Sequence, residues 1–218
     1  MAAQSLIKIC GLKTQDAVDA ALGAGADMIG FVFVDSSPRA IAPGAAATLG
    51  ASAKGRATRV GLFAGQDARA IAEKAKAADL DMIQWHGTGE APLMALGRET
   101  SLPLIAARGI GSRRDLPTAD APKPRYYLFD AKPPAHADRQ GGHGEPFDWQ
   151  ILSGYTLPVP WLLAGGLTPT TVGEAIKAVR HLHGFAGVDV SSGVERARGE
   201  KDPSKIVAFV HAARAAMA

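Results

Sequence analysis

The sequence predicts an α/β protein folded as a single (β/α)8 TIM barrel of eight parallel strands, with residues 1–218 as one domain. Three observations carry that expectation. Eight short apolar runs, rich in branched or aromatic residues, recur along the chain. Each is followed by a polar or Gly turn and then an Ala-rich amphipathic stretch, the pattern of strand, turn and helix. The ends of successive runs lie 21 to 34 residues apart, about the length of one βα unit. Eight such units in 218 residues suit a short barrel better than a doubly wound sheet, which has fewer strands or a longer chain.

The elements follow in order. The runs are 6–9, 28–34, 59–63, 82–85, 102–106, 126–129, 160–163 and 187–190. Thr14, Asp67 and Ser112 can cap the helices after the first, third and fifth runs, because their side-chain oxygens can accept the orphan N–H groups of a first turn. Thr168 before Pro169 and Asp202 before Pro203 are stronger starts, since Pro suits the first helical position. The last helix runs from about Pro203 to the C-terminus. Between runs six and seven lies the longest loop, 131–146, with Gly141, Gly142 and Gly144; loops of this length often act as lids.

Composition narrows the function classes. Hydrophobic residues make up 47% and charged residues 21%, which excludes disorder as the dominant state. The net charge of +3 is mild, and Lys and Arg form no run of five, so no nucleic-acid partner is expected. Cys10 is the only cysteine; it excludes an internal disulfide and a multi-cysteine zinc site. The N-terminus lacks the apolar run of a signal peptide, and a cytoplasmic protein is expected. The uncharged stretch 149–173 is broken by Pro158, Pro160 and Pro169 and reads as globular core, with no membrane partner. Glycine patterns for dinucleotides or P-loops are absent.

A barrel puts its site at the C-terminal ends of its strands. The residues there are Cys10-Gly11, Asp35 to Arg39, Ala64-Gly65, His86-Gly87, Arg108-Gly109, Asp130, Gly165-Gly166 and Ser191-Ser192-Gly193. Cys10 is either a small buried hydrophobe or a reactive thiol, which would need positive potential nearby. Lys8, two residues earlier, points to the same lumen face, and a Lys8–Asp189 pair is expected between the neighbouring first and eighth strands. Asp130 follows an apolar strand. Beside Phe129 it could be a general acid with a raised pKa, or it could be a helix cap or pair with Lys132. The glycines after strands seven and eight stand where barrels often bind phosphate. Arg39 is either a carboxylate or phosphate clamp or a solvated surface residue. His181 and His183 precede strand eight, at the opposite face, and no metal is expected there.

The order of these blocks resembles the phosphoribosylanthranilate isomerase family. The matching segments are Lys8-Ile9-Cys10-Gly11-Leu12, Gly30-Phe31-Val32-Phe33 with Ser37-Pro38-Arg39, Val60-Gly61-Leu62-Phe63, Gln84-Trp85-His86-Gly87, Leu128-Phe129-Asp130, Phe147-Asp148-Trp149, Leu163-Ala164-Gly165-Gly166-Leu167, and Val188 to Glu195 with Lys201-Asp202. They span nearly the whole chain. The resemblance implies a cofactor-free isomerase of tryptophan biosynthesis acting on a small phosphosugar. It implies Cys10 as general base, Asp130 as general acid and Arg39 as the anchor for the anthranilate carboxylate. His86 is a further substrate-binding residue, and Gly165, Gly166, Ser192 and Gly193, with Gly142 from the long loop, form the phosphate site. Four positions, in three places, depart from the family pattern. Trp85 stands where Leu is usual, Thr171 where Asn is common, and His143 and Glu145 replace Thr and Lys in the long loop. Two other readings are an indole-glycerol-phosphate synthase, whose chemistry calls for Lys and Glu at several strand ends, and a non-catalytic barrel that only binds a phosphosugar.

Overall fold

The computed structural model describes residues 5–118, 120–132, 147–156 and 159–218. Gly142, His143 and Glu145 lie outside the described residues. Eight parallel strands close into a barrel in chain order: β1 (Leu6–Cys10), β2 (Met28–Val32), β3 (Thr58–Phe63), β4 (Met82–His86), β5 (Leu104–Ile110), β6 (Tyr126–Ala131), β7 (Trp161–Leu163) and β8 (Phe185–Val190). β1 pairs with β2 on one side and β8 on the other, so the sheet has no open edge. The α-helices are α1 (Gln15–Ala24), α2 (Pro43–Gly50), α3 (Ala68–Ala77), α4 (Ala91–Glu99), α5 (Val172–Val179) and α6 (Pro203–Met217).

Strand alternation divides the core into two shells. Outward residues such as Ile7, Ile9, Ile29, Ile83, Phe129 and Val188 pack beneath the helices. Inward residues Met28, Val60, Met82, Ile105, Leu128 and Leu162 fill the barrel. That lumen also holds buried Lys8, Gln84 and Asp189. Gln84 Oε1 has no hydrogen-bond partner among the described residues.

Asp189 faces inward because β8 is irregular. The register against β7 slips, with Trp161 opposite Phe185 and Leu162 opposite Gly187. Gly187 has φ +153, and a Cβ there would lie 2.0 Å from the Leu6 carbonyl oxygen. Only glycine allows this approach. The slip leaves Ala186 on the lumen side, puts Val188 outside, and sets Asp189 opposite Lys8.

Several sequence expectations shift. β5 starts at Leu104, after Pro103, and runs on to Ile110; polar Arg108 and Gly109 end the apolar run but not the ladder, since they pair with Phe129 and Asp130. Among the described residues the β5–β6 and β6–β7 connections show 3-10 turns, Arg113–Asp115 and Trp149–Leu152, where α-helices were expected. Ser112 therefore caps a 3-10 turn, through a reciprocal box with Asp115. Pro117, Pro122 and Pro124 keep the described residues that follow this turn from becoming helical. Thr168 does not cap α5. The Thr171 N–H donates to Thr168 Oγ1 in a preceding turn, and the helix starts at Val172. Thr14, Asp67 and Asp202 cap as expected.

Candidate active site

Cys10 ends β1 and is 2% exposed. Its thiol sits over β2, where a Cβ on Gly30 would lie 2.9 Å from Sγ. Gly30 thus makes the space the thiol occupies. Below it, Lys8 Nζ donates to Asp189 Oδ1 at 2.7 Å, and Lys8 is fully buried. Burial alone would lower the Lys8 pKa, but Asp189 and then Cys10 outweigh it and hold the ammonium above its ordinary value. The expected lumen pair exists.

Asp130 is the fifth residue of β6, with its side chain on the lumen side. Oδ1 accepts the Ala131 N–H at 2.8 Å. Lys132, the alternative partner read from the sequence, donates to Asp115 instead at 2.7 Å. That bond, with the N–H groups of Gly111 and Ser112, holds the Asp115 carboxyl down to about 2.

The β7 and β8 loops meet the acid and the base. Gly165 and Gly166 both have positive φ, +87 and +64, and a Cβ on Gly165 would lie 2.9 Å from Asp130 Oδ1. Gly193 backs onto Leu167 so closely that a Cβ would be 1.8 Å from its carbonyl oxygen. Ser191 Oγ donates to the Cys10 carbonyl at 3.1 Å. A continuous line of contacts therefore runs from Asp130 through Gly165-Gly166-Leu167 and Gly193-Ser192-Ser191 to Cys10.

Arg39 is no free surface residue. Its Nε and Nη2 donate to the two oxygens of Glu195 at 2.7 and 2.9 Å. Its aliphatic stem lies over Gly11, where a Cβ would be 2.8 Å from Cδ. Glu195 opens a short antiparallel hairpin, β9 (Glu195–Ala197) and β10 (Glu200–Lys201). Lys201 returns on β10 and donates to Glu195 Oε1, the Ser191 carbonyl and Ser191 Oγ at 2.7, 2.8 and 3.2 Å. Burial would raise the Glu195 pKa, but Arg39 and Lys201 prevail and hold it at about 2. Burial pulls the Lys201 ammonium below its ordinary value, against Glu195.

On the other side, His86 ends β4 and lines a cavity of about 530 Å³ with Ala107, Arg108, Gly109, Asp130 and Lys132. Burial lowers the His86 pKa, which keeps the imidazole neutral at pH 7. Trp85 carries Arg108 across its ring, 5.8 Å from the centroid, and Arg108 Nη1 donates to the Gly87 carbonyl at 3.2 Å. His181 and His183 lie between α5 and β8, at the far end of the barrel. Among the described residues no cluster of His, Cys, Asp or Glu is placed to hold a metal ion.

The structure thus gathers Cys10, Arg39, His86, Asp130, Gly165, Gly166, Ser192 and Gly193 at one end of the barrel. Gly30, Glu195 and Lys201 stand in the segments that carry the family resemblance, but sequence reasoning gave them no role. Their partners are far away in the chain, and no local pattern reveals such pairings.

Comparison with known proteins agrees with this geometry. The family model for N-(5'phosphoribosyl)anthranilate (PRA) isomerase matches residues 7–212. The N-(5'-phosphoribosyl)anthranilate isomerase of Rhodospirillum rubrum is 49% identical over 218 residues, covering 97% of this chain and 98% of that protein. The crystal structure of the phosphoribosyl anthranilate isomerase of Thermotoga maritima superposes with a TM-score of 0.83 at 31% identity, covering 97% of this chain and 99% of that one. A further phosphoribosyl anthranilate isomerase structure, in complex with reduced 1-(o-carboxyphenylamino)-1-deoxyribulose 5-phosphate, superposes at 0.78 with 28% identity and the same coverage. With a closed eight-stranded barrel and this match along nearly its whole length, the chain belongs to the N-(5'-phosphoribosyl)anthranilate isomerase family.

Proposed function

We propose that this isomerase works by a cofactor-free Amadori rearrangement. It converts N-(5-phospho-β-D-ribosyl)anthranilate to 1-(2-carboxyphenylamino)-1-deoxy-D-ribulose 5-phosphate, with Asp130 as general acid and Cys10 as general base. The observation that carries this reading is the line of contacts that ties Asp130 to Cys10 through the β7 and β8 loops. A phosphate held on those loops would place the attached sugar between acid and base. Consecutive positive-φ glycines of the Gly165-Gly166 kind can gather N–H groups around an anion; Ser192, Gly193 and Gly142 complete the proposed phosphate site.

The steps balance within one molecule. Asp130 gives its proton to the ring oxygen, the C1–O bond breaks, and the amine lone pair forms an iminium. Cys10, as thiolate, takes the proton from C2. The C–H electron pair forms the C1=C2 bond, and the iminium nitrogen recovers its pair. The resulting enolamine becomes the ketone as its C2 hydroxyl proton is lost and a proton is added at C1. The iminium is the electron sink, so the protein supplies positioned acid and base. Arg39 would hold the anthranilate carboxylate, and neutral His86 would contact substrate beside Asp130. The ligand is a small phosphosugar in the cytoplasm, with no nucleic-acid or membrane partner; no described helix is long and apolar enough to cross a membrane.

The test is loss of anthranilate-type fluorescence from freshly made phosphoribosylanthranilate. Wild type should outpace spontaneous decay, and Cys10→Ala and Asp130→Asn should each lose at least about 10²-fold in kcat. A variant that folds and turns over at the wild-type rate would remove that residue from the mechanism.

A further inference from the structure

The hairpin that follows β8 has no place in the barrel ladder, yet it carries two of the molecule's most buried charges. Glu195 and Lys201 side chains are 6% and 2% exposed. Outside the hairpin their bonds converge on Arg39 and the β8 loop. Glu195 takes the Nε/Nη2 edge of the guanidinium. Lys201 spends three donors on Glu195 and Ser191, which fills an ammonium's capacity. The Gly199 N–H adds a bond to Glu195 Oε2 at 3.1 Å. Gly199 itself has φ +82, and a Cβ there would lie 2.7 Å from the Pro38 carbonyl oxygen. The hairpin is thus pressed against the segment that carries Arg39.

Arginine has five N–H donors in a rigid fork. Glu195 uses two, and the edge made by Nη1 and the second Nη2 hydrogen has no partner among the described residues. Arg39, Glu195 and Lys201 together carry one net positive charge. That charge suits one carboxylate approaching the remaining edge. A loose arginine could meet such a group in many geometries; a clamped one offers a single geometry.

We infer that Glu195 and Lys201 are positioning residues that lock Arg39 so that its Nη1/Nη2 edge receives the aryl carboxylate of the substrate. The inference rests on the proposed role of Arg39. Glutamine at 195 would set an amide N–H₂ against one arm of the fork, release Arg39 and weaken only the ligand's carboxylate end.

The experiment measures binding by calorimetry of two compounds. One is reduced 1-(o-carboxyphenylamino)-1-deoxyribulose 5-phosphate and the other is its analogue lacking the carboxylate. Glu195→Gln should weaken the first about tenfold and the second less than about twofold. Equal losses for both compounds, no loss for either, or tighter binding of the first overturns the inference. Lys201→Met should show the same selective loss, and it decides the matter if Glu195→Gln does not fold. Arg39→Lys separates the two levels. If it spares the carboxylated compound, Arg39 is not the carboxylate anchor and the proposed role fails. If it shows the selective loss while Glu195→Gln and Lys201→Met do not, only the positioning inference fails.

Discussion

Replacing Lys8 by Met should unfold this barrel more readily than almost any other single change. Lys8 is fully buried, and its ammonium lies 2.7 Å from Asp189 in a lumen lined mainly by apolar side chains such as Met28, Val60, Met82 and Leu128. Removing one partner of a buried pair leaves the other charge uncompensated and costs about 3–5 kcal/mol. Total stability of a domain is about 5–15 kcal/mol. For a chain of this size each kcal/mol lowers Tm by about 2–4 °C, so the loss should be about 6–20 °C. Urea unfolding followed by tryptophan fluorescence and calorimetric melting would measure it. The double variant Lys8→Met, Asp189→Leu should regain at least half the loss, because a methionine–leucine pair needs no counter-charge. A single-variant loss under about 1 kcal/mol, or a double variant as unstable as the summed singles, would refute the reasoning.

Four further outcomes are expected. Glu195 has a folded pKa of about 2 against 4.5 ordinarily; it therefore stabilises the fold above pH 4.5, by about 3 kcal/mol at 1.36 per unit, and that contribution fades as pH falls from 4.5 to 2. Urea midpoints against pH should flatten over that interval in Glu195→Gln; an unchanged slope would contradict the assignment. His86 is depressed by burial, so protonation opposes folding and stability falls as pH drops below about 6.5; its NMR titration midpoint should lie under that value. Gly187→Ala should cost more than about 4 kcal/mol in urea unfolding because its Cβ would strike the Leu6 carbonyl. Gly173→Ala, with open space around it in α5, should instead stabilise by about 0.5–1 kcal/mol.

The strands were legible because each is a local apolar run, and burial by helices outside and neighbours inside demands such runs. The helix starts at Thr14, Asp67 and Asp202 were legible because a cap is a bond between residues two or three apart. Thr168 misled for the same local reason: its oxygen bonds Thr171 in a turn, an alternative that sequence cannot distinguish from a cap. Arg113–Asp115 fell short of a helix because Pro117, Pro122 and Pro124 follow it. Cys10 stood out as the only thiol and Asp130 as a carboxylate directly after an apolar strand, which must be used or bonded, and Lys8 and Asp189 because adjacent strands close the barrel.

Apart from the Lys8–Asp189 pair, which closure of the barrel implies, the tertiary structure alone decided the relations between distant segments. Sequence alone names Arg39 but leaves it equally a surface residue. The hairpin ending at Lys201 makes it a clamped one, through Glu195, 156 positions away. Sequence alone shows paired glycines after β7 and β8. Their backbones touch because Gly193 tolerates the Leu167 carbonyl where any side chain would collide. Periodicity and capping are properties of neighbours in the chain and can be read from it. Charge pairing and backbone contact across a closed barrel depend on register and on the Gly187 slip, and these exist only once the eight strands have met.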